Sequence, residues 1–198
     1  MTFRRLLLLA HRWLGLLSAL ILCVVGASGA VLLLPDSVPL RRFGGPFHER
    51  LALGSPTSPL GLLGSWLVVV STAAAVALEF SGAILWWRRK RVAIRWSREW
   101  WRPLDDLHHA AGVVLLPLML VLAVSGLALD FVGLDQPKLR RFTMDFHTAD
   151  TFSTFVKLLY LVATLGFVVQ GVTGVVMWWK PQRLVSVRRR ARAAASDG

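Results

Sequence analysis

Four long apolar stretches constrain this 198-residue chain more than any other feature of its sequence. A helix that crosses the ~30 Å hydrocarbon core of a bilayer needs about 20 consecutive, mostly apolar residues. Each stretch reaches that length, and the segments between them are too short to form a soluble domain. The sequence therefore predicts an all-α integral membrane protein with four transmembrane helices. The predicted spans are residues 6–34, 62–87, 107–132 (with a kink at Pro117) and 155–179.

The distribution of basic residues predicts the orientation of these spans. The chain carries 23 Lys and Arg and a formal net charge of +12. Sixteen of these residues lie at the start of the first span, between the second and third spans, or after the fourth, and seven lie on the other side. Cytoplasmic segments of membrane proteins are enriched in Lys and Arg. We therefore expect both termini in the cytoplasm, where the basic tail 181–198 attracts anionic lipid.

Composition and motifs exclude several other function classes. A single cysteine excludes a disulfide framework and a cysteine-based zinc site. The sequence has no Walker loop and no dinucleotide fingerprint, so NAD(P)H or flavin chemistry on this chain is unsupported. Nothing in it resembles a nucleic-acid-binding fold. The predicted partner is the lipid bilayer, and nucleic acid is not expected to bind.

Short motifs recur at fixed spacing and predict an internal repeat. The chain is expected to be one membrane domain, residues 1–198, in which repeats 6–87 and 107–180 flank a cytoplasmic linker, 88–106. Parallel repeats are usually related by a pseudo-two-fold axis along the membrane normal. A cleaved signal peptide is disfavoured because the first span has a counterpart inside the chain. The matching motifs are His11-Arg-Trp-Leu-Gly15 with His108-His-Ala-Ala-Gly112 and Ser28-Gly29 with Ser125-Gly126 (offset 97), and Ser81-Gly82 with Thr173-Gly174 (offset 92).

The repeat sorts four of the five histidines into two pairs. His11 and His108 begin the first and third spans, and His48 and His147 lie in or near the outer loops. Two imidazoles that face each other across the axis can supply both axial ligands of a haem iron. We therefore predict two b-type haems, one at each membrane face. Glycine removes bulk beside a flat ring, and the glycines predicted to line the haems are Gly15, Gly112, Gly29 and Gly126.

Each of these residues also has a structural interpretation. Glycine and serine in membrane helices commonly mediate close helix packing, and a histidine at a helix end can be an interfacial anchor. A metal ion without haem is a further alternative. His109 could add a third donor to the inner pair, but it points about 100° away from His108. Glu49, Asp145 and Asp150 keep an ion site open near the outer pair.

Glu79 is an ionisable residue inside the second predicted span. Such residues are costly in a bilayer and are by default functional. Glu79 could relay protons, bind a quinone hydroxyl or hydrogen-bond a partner such as Gln170. A protonated or paired structural residue is an equally good interpretation. The repeat places Gly171 at the equivalent position, so Glu79 is not part of the symmetric site.

The phrases His11-Arg-Trp-Leu-Gly15, Asp106-Leu-His108…Gly112, Ser125-Gly126-Leu and Ser81-Gly82-Ala-Ile-Leu-Trp86-Trp87 resemble the PepSY-associated transmembrane helix family over residues 8–182. The resemblance implies a bacterial inner-membrane protein, and some members are haem-containing reductases that release iron from siderophores. It carries the family histidines onto His11, His108, His48 and His147. Larger relatives carry folded PepSY modules between helices. Residues 35–61 are too few for one, so a substrate-binding role is not carried over.

Two functions from different classes follow. The first is an electron-transfer protein with two b-type haems, which takes electrons from a quinol or a cytoplasmic reductase and passes them to a periplasmic acceptor such as ferric iron or a siderophore. Whether the chain is itself a reductase or an electron-transfer subunit stays open. The second is a haem-free scaffold or accessory subunit of a transporter or reductase complex. An ion permease ranks last, because few polar residues lie at mid-membrane.

Overall fold

The computed structural model of the chain describes residues 2–35, 38–87, 101–131, 136–149 and 151–196, and for Trp101 and residues 180–196 it describes the helical backbone alone. Within these ranges the chain forms helices and no strand. The all-helical prediction is therefore confirmed for the described residues. The helices are α1 (Phe3–Leu32), α2 (Arg41–Arg50), α3 (Pro59–Trp87), α4 (Trp101–Val114), α5 (Leu116–Phe131), α6 (Pro137–Thr148) and α7 (Thr154–Ser196).

Three of these helices are long and apolar enough to cross a membrane by themselves. They are α1, α3 and the Thr154–Trp179 part of α7. The pair α4 and α5 gives a fourth span if its two bent halves are counted as one. Helices of this length and composition make the chain a multi-pass membrane protein that contacts the lipid bilayer.

The third predicted span is broken rather than kinked. Arg102–Val114 and Leu116–Phe131 are separate helices that meet at 65°. Pro117 explains the break, because proline has no N–H for the helical ladder and its ring clashes with the carbonyl four residues earlier, that of Val113. Regular bonds resume around the break, from Leu115 N to Ala111 O and from Met119 N to Leu115 O, both 2.9 Å. The predicted kink at Pro117 is thus a 65° break between two helices.

Two short helices occupy segments that the sequence analysis treated as loops. His48 lies on α2 and His147 on α6, each close to the C-terminal end of its helix. Both helices end on a residue in the left-handed region, Leu51 (φ 53°) and Ala149 (φ 56°). Because each histidine sits on a helix and not in a loop, its backbone position is fixed.

The membrane helices form a ring around a shared interior. α1 packs against α3 and α7, and α5 packs against the same two helices. α4 contacts α7 and α3, α2 lies against α1 and α3, and α6 lies against α5. We call the end of the bundle with the starts of α1 and α4 the termini end, and the end with α2 and α6 the loop end.

Small residues let the helices approach closely. A Cβ on Gly26 of α1 would lie 2.7 Å from the Thr164 carbonyl oxygen of α7, and one on Gly171 of α7 would lie 3.1 Å from the Ala19 carbonyl oxygen of α1. Membrane helices commonly associate through such small residues, which bring backbones together. The most deeply buried larger residues, Met119, Leu122 and Tyr160, join α5 to α7.

Two predictions fall mainly outside the described residues. The structure does not describe residues 88–100 of the linker 88–106, and it does not describe the side chains of the basic tail 181–198. Tryptophan side chains lie at the termini end of the bundle. There, the rings of Trp13 and Trp178 meet edge to face, 6.2 Å apart.

The close contact at Gly26 yields a stability prediction. Gly26→Val places a side chain against the backbone of α7, and overpacking of this kind costs about 1–3 kcal/mol. We expect a lower midpoint in thermal unfolding of the protein in detergent. Gly45→Val is the control, because a Cβ at Gly45 meets no atom within 4 Å. Equal midpoints for the two variants would contradict the described α1–α7 contact.

Candidate functional site

A cavity of about 340 Å³ lies inside the bundle in its termini half. Residues of α1, α3, α4, α5 and α7 line it. A cavity of this size lies in the range of small-molecule and cofactor sites. Both inner histidines line it together with five glycines: His11, His108, Gly15, Gly82, Gly112, Gly171 and Gly174.

His11 is held by a hydroxyl of the neighbouring helix. Its Nδ1 lies 2.7 Å from the Ser81 Oγ of α3. The Ser81 hydroxyl donates its proton to the Leu78 carbonyl at 3.1 Å, so the oxygen accepts from the imidazole. Nδ1 of His11 therefore carries the ring proton. Its Nε2 is left with a free lone pair, which is the form that binds a metal.

His108 is held in the same way from α7. Its Nδ1 lies 2.8 Å from the Thr173 Oγ1, and the Thr173 hydroxyl donates to the Val169 carbonyl at 2.6 Å. The Nε2 of His108 is consequently the unprotonated nitrogen. Metal-binding histidines almost always use their second nitrogen in a hydrogen bond of this kind, which fixes the tautomer and the ring orientation.

The glycines that touch the inner imidazoles are not the ones predicted to line the inner haem. A Cβ on Gly82 would lie 3.5 Å from His11 Cε1, and one on Gly174 would lie 3.5 Å from His108 Cε1. Gly15 and Gly112 also line the cavity. The space beside Gly112 is taken by Gln170, whose Nε2 would lie 2.8 Å from a Cβ there. Gln170 donates to the His108 carbonyl at 2.8 Å.

The outer histidines face each other at the loop end. The ring centroids of His48 and His147 are 6.0 Å apart, with 44° between the ring planes. His48 Nδ1 donates to the Val25 carbonyl of α1 at 3.0 Å. His147 Nδ1 lies 2.9 Å from the Ser125 Oγ of α5, a hydroxyl that donates to Val121 at 2.7 Å. In both rings Nδ1 therefore carries the proton and Nε2 is unprotonated, as in the inner rings.

Gly29 and Gly126 make room for the outer imidazoles themselves. A Cβ on Gly29 would lie 3.1 Å from His48 Cε1, and one on Gly126 would lie 3.0 Å from His147 Cε1. Such distances are tighter than ordinary contact, so a side chain at either position would displace the ring. The space predicted for a macrocycle is occupied in the structure by the histidine rings.

Burial keeps the outer pair neutral. Desolvation, together with the nearby His48, lowers the pKa of His147 to about 4. Desolvation also lowers the pKa of His48, although the bond to Val25 and the charge of Glu49 act in the opposite direction. A buried histidine gives up its charge because transfer of the imidazolium out of water is costly. Both rings are therefore available as neutral ligands at pH 7.

The described residues do not assemble a site for a metal ion without haem. No group of three or more His, Cys, Asp or Glu side chains lies together in the described ranges. Nδ1 of His109 is 2.6 Å from the Asp105 carbonyl oxygen of its own helix, and its ring stands at 82° to that of His108. His109 therefore belongs to a different hydrogen-bonding unit. Asp150, one of the outer candidates, lies outside the described residues.

Glu79 also lines the inner cavity. The suggested bond between Glu79 and Gln170 is absent, because the Gln170 amide donates to the His108 carbonyl instead. No hydrogen bond or ion pair of Glu79 is found in the part of the chain that the structure describes. The carboxyl group therefore faces a largely apolar cavity without a protein partner.

The hydroxyls that orient the rings were not predicted from the sequence. Ser81 and Thr173 hold the inner pair, and Ser28, 3.4 Å from His48 Nδ1, and Ser125 contact the outer pair. The signal was available, because these residues belong to the Ser-Gly and Thr-Gly motifs that recur at offsets 92 and 97. What sequence alone did not reveal is that each hydroxyl lies beside an imidazole.

Comparison with known proteins gives one match. The family model described as the PepSY-associated TM region matches residues 39–137, which is half of the chain. No curated protein and no solved structure matches this chain.

The ring protonation described above is directly measurable. In ¹⁵N-histidine-labelled protein, we expect the NMR signals of His147 to report a neutral, Nδ1-protonated ring at all pH values above about 5, because burial lowers its pKa to about 4. Protonation should begin only as the pH falls toward that value. His147 signals typical of an imidazolium at pH 6 would contradict the described burial.

Proposed function

The chain belongs to the PepSY-associated TM region family, and on that premise we propose that it is a b-type haem-binding electron-transfer protein of a bacterial inner membrane. The observation that carries the proposal is the shared state of the four histidines. Each has Nδ1 committed to an oxygen acceptor on a neighbouring helix, which leaves Nε2 as a free donor. A ring whose second nitrogen is held in this way is typical of metal-binding histidines.

The residues fit two haem groups in different ways. His11 and His108 would hold the inner one, because both line a cavity in which Gly82 and Gly174 leave space beside the imidazole rings. His48 and His147 would hold the outer one. Two imidazoles that bind one metal at about 2 Å from each nitrogen place their centroids about 6 Å apart, which agrees with the 6.0 Å between these rings.

The proposed pseudo-two-fold arrangement is supported by matched contacts. His11 meets Ser81 in the first half and His108 meets Thr173 in the second. Gly29 is against His48, and Gly126 is against His147. We infer four spans, with the α4–α5 pair counted as one, and both termini in the cytoplasm, as the excess of basic residues at the termini end indicates.

The two proposed sites span most of the bilayer. On α1, Gly29 is 18 residues beyond His11, which corresponds to about 27 Å along a helix. A haem held by two histidines would supply a one-electron iron couple suited to electron transfer. The protein orients the four ligand rings through their Nδ1 hydrogen bonds. Electrons would pass from the termini end to an acceptor at the loop end.

Reduced-minus-oxidised visible spectra test this function. We expect the purified protein to show a Soret band and the α and β bands of six-coordinate, bis-histidine b-type haem. His11→Ala or His108→Ala should remove about half of the haem, because each variant breaks the inner pair, and His48→Ala or His147→Ala should remove the other half. His109→Ala is the matched control, since its Nδ1 bonds its own helix. It should keep the full complement.

A protein that has no Soret band after expression with ample haem would rule out the proposal. It would leave the haem-free scaffold as the function to pursue. Full haem content in all four ligand variants would also overturn it.

The hydroxyl acceptors give a second prediction. Thr173→Val keeps the shape of the side chain but removes the oxygen that holds His108 at 2.8 Å. Loss of such a partner typically weakens metal binding 10–100-fold, so we expect haem to transfer faster to an acceptor such as apomyoglobin. Thr72→Val is the control, because the Thr72 hydroxyl bonds only the Val68 carbonyl of its own helix. Equal transfer rates in the two variants would show that Thr173 does not support the ligand.

A further inference from the structure

One residue of the inner cavity is not explained by symmetric haem ligation. Glu79 on α3 has Gly171 as its counterpart in the second repeat, and Gln170 on α7 has Leu78. The Gln170 amide is accounted for, because it donates to the His108 carbonyl and ties α7 to α4. Glu79 has no such partner among the described residues. Its carboxyl group is therefore free to act on a bound molecule.

The position of Glu79 is deeper than the inner histidines. It precedes Gly82, which contacts the His11 ring, by nearly one turn of α3 on the side toward the bilayer centre. The cavity continues in that direction to Leu22, which is 11 residues, or about 16 Å along a helix, beyond His11. Ala75, Met119 and Phe167 line this inner part. An apolar chamber with one carboxyl group thus adjoins the proposed haem level.

The other charged or titratable groups that line the cavity lie outside its inner part. Arg4 and Arg12 are exposed and line the cavity on the α1 side, and His109 lines it on α4. Glu79 is the only carboxylate among the described lining residues. An ionisable residue held in a membrane interior without a partner is by default functional. A carboxylate at this place suits the removal of a proton from a neutral, lipid-soluble molecule.

We propose that the inner part of this cavity binds the ring of a membrane hydroquinone, and that Glu79 accepts its phenolic proton. The inference rests on the proposed haem function and identifies the electron donor. A donor that reaches a chamber walled by membrane helices must partition into the bilayer. It must also lose protons as it loses electrons. Hydroquinones meet both requirements.

The step balances in protons and electrons. The phenolic O–H bond breaks and its proton forms the O–H bond of the Glu79 carboxylic acid, while one electron would go to a ferric haem held by His11 and His108. Glu79 then releases the proton toward the solvent-exposed side at Arg4 and Arg12. The second proton and electron would follow the same route once the bound haem had passed on the first electron. The hydroquinone leaves as the quinone, having lost two electrons and two protons.

Stopped-flow reduction of the purified protein in nanodiscs tests the proton acceptor. Decylubiquinol, a benzoquinol, and menadiol, a naphthoquinol, are mixed in separate arms with the oxidised protein, and haem reduction is followed. In the arm whose quinol reduces the wild-type protein, Glu79→Gln should slow haem reduction by at least about 100-fold, as expected for loss of a general base. Reduction by dithionite and the visible spectrum should not change. Asp130→Asn, a carboxylate of α5 that does not line the cavity, is the matched control.

A binding titration tests the site without any haem signal. Trp86 and Trp178 line the cavity, so decylubiquinone or menadione should quench tryptophan fluorescence saturably. Glu79→Leu should weaken this binding at least tenfold, whereas Glu79→Gln, which keeps a hydrogen-bonding side chain, should retain it. Wild-type reduction rates in Glu79→Gln, or quenching that does not saturate, would overturn the proposal. A protein without haem that still binds quinone saturably would refute the haem function and leave the quinone site standing.

Discussion

The hydrogen bond from each imidazole Nδ1 to an oxygen acceptor on a neighbouring helix is the interaction on which the rest of the arrangement depends. It joins α1 to α3, α4 to α7, α2 to α1 and α6 to α5. In a low-dielectric interior an unpaired polar group is costly, so each bond stabilises the packing of the helices that it joins. The same bond decides which nitrogen faces the interior. Packing and ligand chemistry therefore have one physical cause.

Much of the fold was predictable because span length and apolar character are properties of consecutive residues. The bounds expected for the first, second and fourth spans agree with α1, α3 and the apolar part of α7 to within a few residues. The break at Pro117 was recognised as a kink but not as a 65° bend, since the angle depends on how α4 and α5 pack against their neighbours. The short helices α2 and α6 were not predicted because neither contains a run of consecutive apolar residues.

The histidines of the candidate site were predicted from the sequence, but their hydrogen-bonding partners were not. Duplication made the histidine pairs visible, and the structure brings His48 and His147 within 6.0 Å and places His11 and His108 on one cavity. The partners of the rings were not visible, because a hydrogen bond between helices leaves no local pattern. The same holds for the glycines. Gly15 shares a helix face with His11, but the residue that touches the His11 ring is Gly82, from another helix.

The break at Leu115 makes the two halves of the bundle mechanically different. In the first half one continuous helix, α1, carries both His11 and Gly29, so the two levels of the membrane are linked by a single rod. In the second half His108 lies on α4, while Ser125 and Gly126 lie on α5 beyond the bend. A displacement of α4 is therefore not transmitted along one axis to the outer level. In the first repeat, one helix fixes the distance between the inner and outer levels. In the second repeat, the inner and outer levels lie on two helices joined at a bend, so their positions are set separately.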